Sequence, residues 1–165
     1  MKFSNSTVQT GYDSPLGPMI LAAANDQLVG VWFDGQAHQP DTAVWPVAAS
    51  HPVLQQAMAQ LADYFAGRRT TFKLPLDLSG GTAFQQAVWR ALLQIPRGAT
   101  QSYGSLSASI GNPAAIRAVG GAVGRNPLSI IVPCHRVIGA SGALTGYAGG
   151  LDRKIALLQL EGAMI

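Results

Sequence analysis

Cysteine, histidine and charge are all scarce in this chain, and each scarcity excludes something. Cys134 is the one cysteine, so no intramolecular disulfide can form and a reducing, cytoplasmic setting is expected. His38, His51 and His135 show no metal-ligand spacing, so neither a metal nor a cofactor is expected. Charged residues make up 12% of the 165 positions and apolar residues 48%. That balance excludes disorder and supplies a sizeable core. No apolar run reaches the roughly 20 residues of a membrane span. The opening Met1-Lys2-Phe3-Ser4-Asn5-Ser6 also lacks the apolar stretch of a signal peptide. No membrane partner is expected.

The few charges are unevenly placed. Before Thr82 four basic residues face six acidic ones, while from Thr82 onward seven face only Asp152 and Glu161. A basic second half points to a polyanionic partner there. Ser79-Gly80-Gly81 is a flexible break close to the change of sign. We therefore expect an N-terminal domain over residues 1–79 and a C-terminal domain over residues 82–165.

The first half reads as a small sheet plus a helix. Residues 7–10, 19–24 and 28–33 are strand-like, separated by a turn at 13–18 and a hairpin tip at Asn25-Asp26. Val53, Ala57, Leu61, Tyr64 and Phe65 recur at helical spacing through residues 50–65, with Gly67 placed to end the helix. Residues 71–78 suit an edge strand, since Pro75 has no N–H for a central one.

The second half is mainly helical, which makes the chain α/β in the α+β sense. Thr82 caps a helix whose buried stripe is Phe84, Val88, Trp89, Leu92 and Ile95. Residues 102–110 form a short helix, and Asn112-Pro113 starts a second that runs to Val123. This pair suits a helix-turn-helix or an ordinary helical hairpin. The second helix is built from Ala114, Ala115, Ala118, Gly120, Gly121 and Ala122, with Arg117 as its sole charge. Glycine weakens a helix, so the adjacent pair implies close approach, by a partner or by the protein's own chain.

Beyond it, Ser129-Ile130-Ile131-Val132 reads as a buried strand that Pro133 ends. The strand delivers Cys134 beside His135 and Arg136, two groups able to stabilise a thiolate. A lone cysteine on an apolar strand is also an ordinary core residue.

Pro133-Cys134-His135-Arg136-Val137 resembles the active-site signature of the O6-alkylguanine-DNA alkyltransferases. Arg117-Ala118-Val119-Gly120-Gly121, Asn126-Pro127 and Gly146-Tyr147-Ala148-Gly149-Gly150 fall in that family's order and spacing. The resemblance is dense from Thr82 to Glu161. It implies a ribonuclease H-like N-terminal domain and a C-terminal domain with a helix-turn-helix that binds alkylated double-stranded DNA as a monomer. It also implies transfer of an alkyl group from guanine O6, or thymine O4, to Cys134 after the base is flipped out of the stack. The product thioether would leave each molecule inactive after one turnover, with no small-molecule cofactor.

By the same resemblance, a water joins Cys134 to His135, Glu161 orients His135, and Asn126 ties the helix-turn-helix to the active-site loop. Tyr103, Val123, Val137, Tyr147 and Ala148 are implied in substrate binding. Tyr103, Ala115, Arg117, Ala118 and Gly120 are implied in DNA contact, with Arg117 filling the space the flipped nucleotide leaves. This chain departs from some relatives at Ile116, which is bulkier, and at Ala148, which lacks a serine hydroxyl. The family also includes non-catalytic alkylated-DNA recognition proteins, which lack the cysteine that this chain has. A thiol hydrolase would show other local signatures, and a major-groove regulator would put polar side chains on its second helix.

Overall fold

The computed structural model describes residues 1–164. Strands β1 (Val8–Ser14), β2 (Gly17–Ala24) and β3 (Gln27–Phe33) form an antiparallel meander in that order. Asn25 turns the second hairpin at φ +55°, a left-handed conformation that a short amide side chain tolerates. Alternation along the strands divides their side chains between two clusters. Met19, Leu21, Val31 and Phe33 pack with Leu54, Ala57 and Leu61 of helix α1 (Pro52–Phe65), while Ala22, Val29 and Trp32 lie under Phe3 and Trp45 on the other face. His51 caps α1, its Nδ1 accepting from the Val53 N–H at 3.2 Å.

Helix α2 (Ala83–Leu92) starts with the reciprocal Thr82–Gln85 capping box. Strand β4 (Gln101–Ser102), helices α3 (Tyr103–Ser109) and α4 (Ile116–Gly124), strand β5 (Val137–Ile138) and helix α5 (Leu151–Leu160) follow. The Trp89 indole N–H donates to the Ala122 carbonyl at 2.8 Å and fixes α2 against α4. Val88, Trp89, Leu106, Val119 and Leu157 are buried in the same cluster as the sheet and α1. The two halves therefore share one core. No helix among the described residues is long and apolar enough to cross a membrane.

Three local expectations fail. Residues 71–78 form no strand. Only Leu76 bridges β3, at Leu28, because the Gln60 side chain takes the backbone groups of Lys73 and Pro75 has no N–H. The second small-residue helix starts at Ile116 instead of Pro113, with Ala115 as a cap that makes no side-chain bond. Asn112 is used differently, its carbonyl accepting from the Ser107 hydroxyl and the Ala115 N–H. Finally, residues 129–132 are not extended. Ile130 adopts φ +71° and the chain reverses there, with the Val132 N–H bonding the Leu128 carbonyl at 2.9 Å. The β-branched run reported burial correctly, but burial alone does not require a strand.

Candidate active site and nucleic-acid face

β3 holds one end of the site loop. Its Val31 N–H bonds the Pro127 carbonyl at 2.8 Å, and the Val31 carbonyl accepts from Ser129 at 2.9 Å. Asn126 closes the loop from inside, donating through Nδ2 to the Val132 carbonyl at 2.7 Å and accepting at Oδ1 from the Leu128 N–H at 2.9 Å. These bonds satisfy groups that a neighbouring strand would otherwise pair. They also support Ile130 in a left-handed conformation that costs a β-branched residue about 1–3 kcal/mol. The loop delivers Cys134 to the first position of a 3-10 turn, Cys134–Arg136. A turn, rather than a strand end, sets the directions of Cys134, His135 and Arg136.

Cys134 opens into a cavity of about 160 Å³ lined by Tyr103, Gly120, Val123, Gly124, Gly146, Tyr147 and Ala148. Of the residues singled out in the sequence, Tyr103, Gly120, Val123, Tyr147 and Ala148 thus converge on the thiol. Val137 is buried outside these walls, its carbonyl accepting from the Lys154 Nζ at 2.6 Å. Ala115, Arg117 and Ala118 lie away from the cavity, with Arg117 and Ala118 exposed on α4. Arg117 makes no hydrogen bond or ion pair within the described residues. A methyl group on Gly120 would sit 3.9 Å from the Tyr103 ring, and one on Gly121 3.5 Å from Arg125. Both are ordinary contacts, so the protein's own packing does not require this glycine pair.

Behind the thiol lies a buried ionic cluster. His135 Nε2 is 2.8 Å from Glu161 Oε2, and Arg136 grips the same carboxylate through Nε and Nη2 at 2.8 and 2.9 Å. The Tyr64 hydroxyl donates to Glu161 Oε2 at 2.6 Å. Burial would raise the Glu161 pKa, but the bonds from His135, Arg136 and Tyr64 hold it well below the ordinary carboxylate range. An ionised carboxylate only accepts, so His135 Nε2 carries its proton. Nδ1, which has no partner among the described residues, is then the bare basic nitrogen. Burial also pushes the His135 pKa down, so the ring rests neutral.

Cys134 is itself protonated at rest. Burial pushes its pKa up to about 11, against partial relief from Asn126 and the Lys154 charge. Arg136, expected to stabilise the thiolate, is instead committed to Glu161 and to the Ile95 carbonyl at 2.6 Å. The cation that acts on the thiol is Lys154, buried and held by the Val137 and Gly146 carbonyls. Neither Lys154 nor Tyr64 stood out in the sequence. Lys154 stands three and four positions before Leu157 and Leu158, on the buried face of α5, and that helical spacing was the signal available; Tyr64 was read only as part of the α1 stripe.

Family profiles match both halves. "6-O-methylguanine DNA methyltransferase, ribonuclease-like domain" covers residues 7–78, and the DNA binding domain of the same family covers residues 83–163. The chain belongs to the 6-O-methylguanine DNA methyltransferase family. It is 52% identical over 149 residues to the methylated-DNA–protein-cysteine methyltransferase of Mycobacterium leprae (strain TN), covering 90% of this chain and 88% of that one. The constitutive enzyme of Bacillus subtilis (strain 168) is 45% identical over 159 residues, covering 92% and 93%. The crystal structure of Mycobacterium tuberculosis O6-methylguanine methyltransferase superposes with a TM-score of 0.86 at 49% identity, covering 96% of this chain and 94% of that one. The Mycobacterium tuberculosis OGT crystallised in complex with DNA gives 0.85 at 50% identity, covering 94% and 92%. Membership of this methyltransferase family brings DNA repair by alkyl transfer to a protein cysteine, with the sheet and α1 as its ribonuclease-like domain and the helical half as its DNA-binding domain.

Proposed function

We propose that this chain repairs O6-alkylguanine, and O4-alkylthymine, in double-stranded DNA by moving the alkyl group to Cys134 Sγ. The carrying observation is that Cys134 shares one small cavity with Tyr103, Val123, Tyr147 and Ala148, backed by the His135–Glu161 pair. An alkylated base inside the duplex is out of reach of a buried thiol, so the nucleotide must rotate into the cavity. Exposed Arg117 and Ala118, with Ala115 at the cap of the same helix and the glycine pair within it, suit a narrow groove where only small residues and one cation fit.

In the reaction, the Cys134 proton passes to His135 Nδ1 through a bridging water. The sulfur attacks the alkyl carbon, an S–C bond forms, the C–O6 bond breaks, and its electron pair stays with guanine, which leaves and is protonated. Glu161 holds His135 in the receiving tautomer, and Lys154 favours the thiolate as it forms. The Val137 and Cys134 carbonyls, each already accepting one bond, keep a second lone pair for the base amino group. Asn126 keeps the loop registered between α4 and the thiol. The thioether is not hydrolysed by any of these groups, so each molecule acts once. The chain works as a cytoplasmic monomer, with domains over residues 1–79 and 82–165.

Incubation with an O6-methylguanine duplex, followed by intact-mass measurement and peptide mapping, tests this. One methyl group per chain on Cys134 is expected. Binding without a mass gain would favour a recognition protein, and transfer by Cys134→Ala would sink the assignment.

A further inference from the structure

A groove of about 450 Å³ runs behind the site loop, lined by residues of the segments 70–76 and 130–136 and of the chain after α2. It is separate from the cavity above: Pro133 lines the groove, while its neighbour Cys134 lines the cavity. Its walls are mainly apolar, with Phe72, Leu74 and Leu76 beside Thr70 and Thr71 from one segment and Leu93, Ile95 and Ile131 from the others. No acidic residue lines it, and of its two charged lining residues Arg136 is neutralised by Glu161, which leaves Arg97 as its uncompensated charge. The Arg97 Nη2 donates to the Leu160 carbonyl at 2.9 Å, but Nη1, itself buried, has no partner among the described residues.

One backbone edge is also open over residues 72–74, while the Leu76 carbonyl beyond it accepts from the Gln27 side chain at 3.3 Å. Both backbone groups of Lys73 are bound by the Gln60 side chain, at 2.9 Å each. The Pro75 carbonyl and the Asp77 N–H bond Leu28 of β3 at 2.7 and 3.0 Å. Alternate residues of an extended chain turn these groups to opposite edges. Those of Phe72 and Leu74, on the other edge, have no partner among the described residues.

We propose that this groove docks an extended, apolar, carboxylate-bearing peptide segment of a partner protein, added as a strand beside residues 72–74. The open edge gives main-chain hydrogen bonds, and the apolar walls take alternate side chains of the guest. Arg97 receives a carboxylate, and a groove with positive charge and no acid disfavours a basic segment. A free aliphatic acid uses the walls and Arg97 but leaves the amide edge empty.

The probe is a short fluorescein-labelled peptide alternating valine with glutamate, titrated against the full chain by fluorescence anisotropy. A valine–lysine counterpart and decanoate serve as comparisons. Leu93 is 40% exposed and belongs to no site described above, so Leu93→Glu adds a carboxylate to the groove while sparing the core. Saturable binding of the acidic peptide is expected, about tenfold weaker for Leu93→Glu and for the lysine peptide. Amide hydrogen exchange at Phe72 and Leu74 should slow when the peptide is bound. Equal binding of both peptides, undiminished binding by Leu93→Glu, unchanged exchange at those amides, or decanoate as the sole binder each overturns the proposal.

Discussion

Tyr64 and Glu161 are 97 positions apart in sequence, and the Tyr64 hydroxyl donates to Glu161 Oε2 across 2.6 Å of protein interior. The bond joins α1 in the first half of the chain to the end of α5 in the second. It lands on the same oxygen that holds His135. The ribonuclease-like half therefore contributes directly to the ionic cluster behind the thiol.

Tyr64→Phe keeps the ring in its packing against Phe65 and Phe72 and removes only the donor. Glu161 retains Arg136 and His135, so the loss should be that of one hydrogen bond to a charged group, about 1.5–3 kcal/mol. A lower urea midpoint with an unchanged denaturant slope is expected. An unmoved midpoint would mean the bond adds nothing to holding the halves together.

Acid should destabilise this protein through two groups acting in the same direction. His135 and Glu161 both have folded pKa values below their ordinary 6.5 and 4.5, so the unfolded chain binds protons first. The stability they contribute is present above those ordinary values and lost as pH falls towards the folded ones. Each limb is worth up to about 1.4 kcal/mol per pH unit. Urea unfolding as a function of pH should show the first loss setting in below about pH 6.5, and His135→Gln should remove it while leaving the carboxylate limb. A parent protein equally stable at pH 7 and pH 5 would contradict the buried, neutral His135.

Much of this architecture was legible because local signals and tertiary structure agree. The meander announced itself through short strand-like runs broken by turn residues, and α2 through Thr82 and its apolar stripe. The Cys134–His135–Glu161 grouping was reachable only through resemblance, since spacing alone does not bring residue 161 to residue 135. The site loop misled for a physical reason. Ile130, Ile131 and Val132 are buried as a strand would be, yet Asn126 takes the backbone groups that a strand would share. The roles of Arg136 and Lys154 were hidden because both are set by partners distant in sequence, Glu161 and the Val137 carbonyl.

The resting thiol should be unreactive towards small electrophiles. With its pKa near 11 instead of 9.0, Cys134 has roughly a hundredfold less thiolate at pH 8 than an unfolded cysteine. Iodoacetamide labelling followed by intact mass should be slower by about that factor in the native protein than in urea. The neutral thiol's contribution to stability is complete below pH 9.0 and lost as pH rises through 11. His135→Gln should leave this slow labelling unchanged while sharply slowing alkyl transfer, because in the proposed reaction His135 acts only when the proton must move. Native labelling as fast as in urea would mean a stored thiolate.

Arg117 offers the sharpest separation of DNA handling from chemistry. It is exposed on α4, makes no bond within the described residues, and lies outside the thiol cavity. Removing it should therefore leave the fold and the thiol untouched. Duplex DNA demands that a nucleotide leave the stack, at a cost of a few kcal/mol, whereas a free base demands nothing of the kind. Arg117→Ala should slow repair of an O6-methylguanine duplex by an order of magnitude or more, yet react with free O6-benzylguanine at the parent rate. If Arg117 also meets a phosphate, the slope of log affinity against log salt should fall by about 1 in the variant. Equal losses on duplex and free base would move Arg117 from the DNA interface to the scaffold.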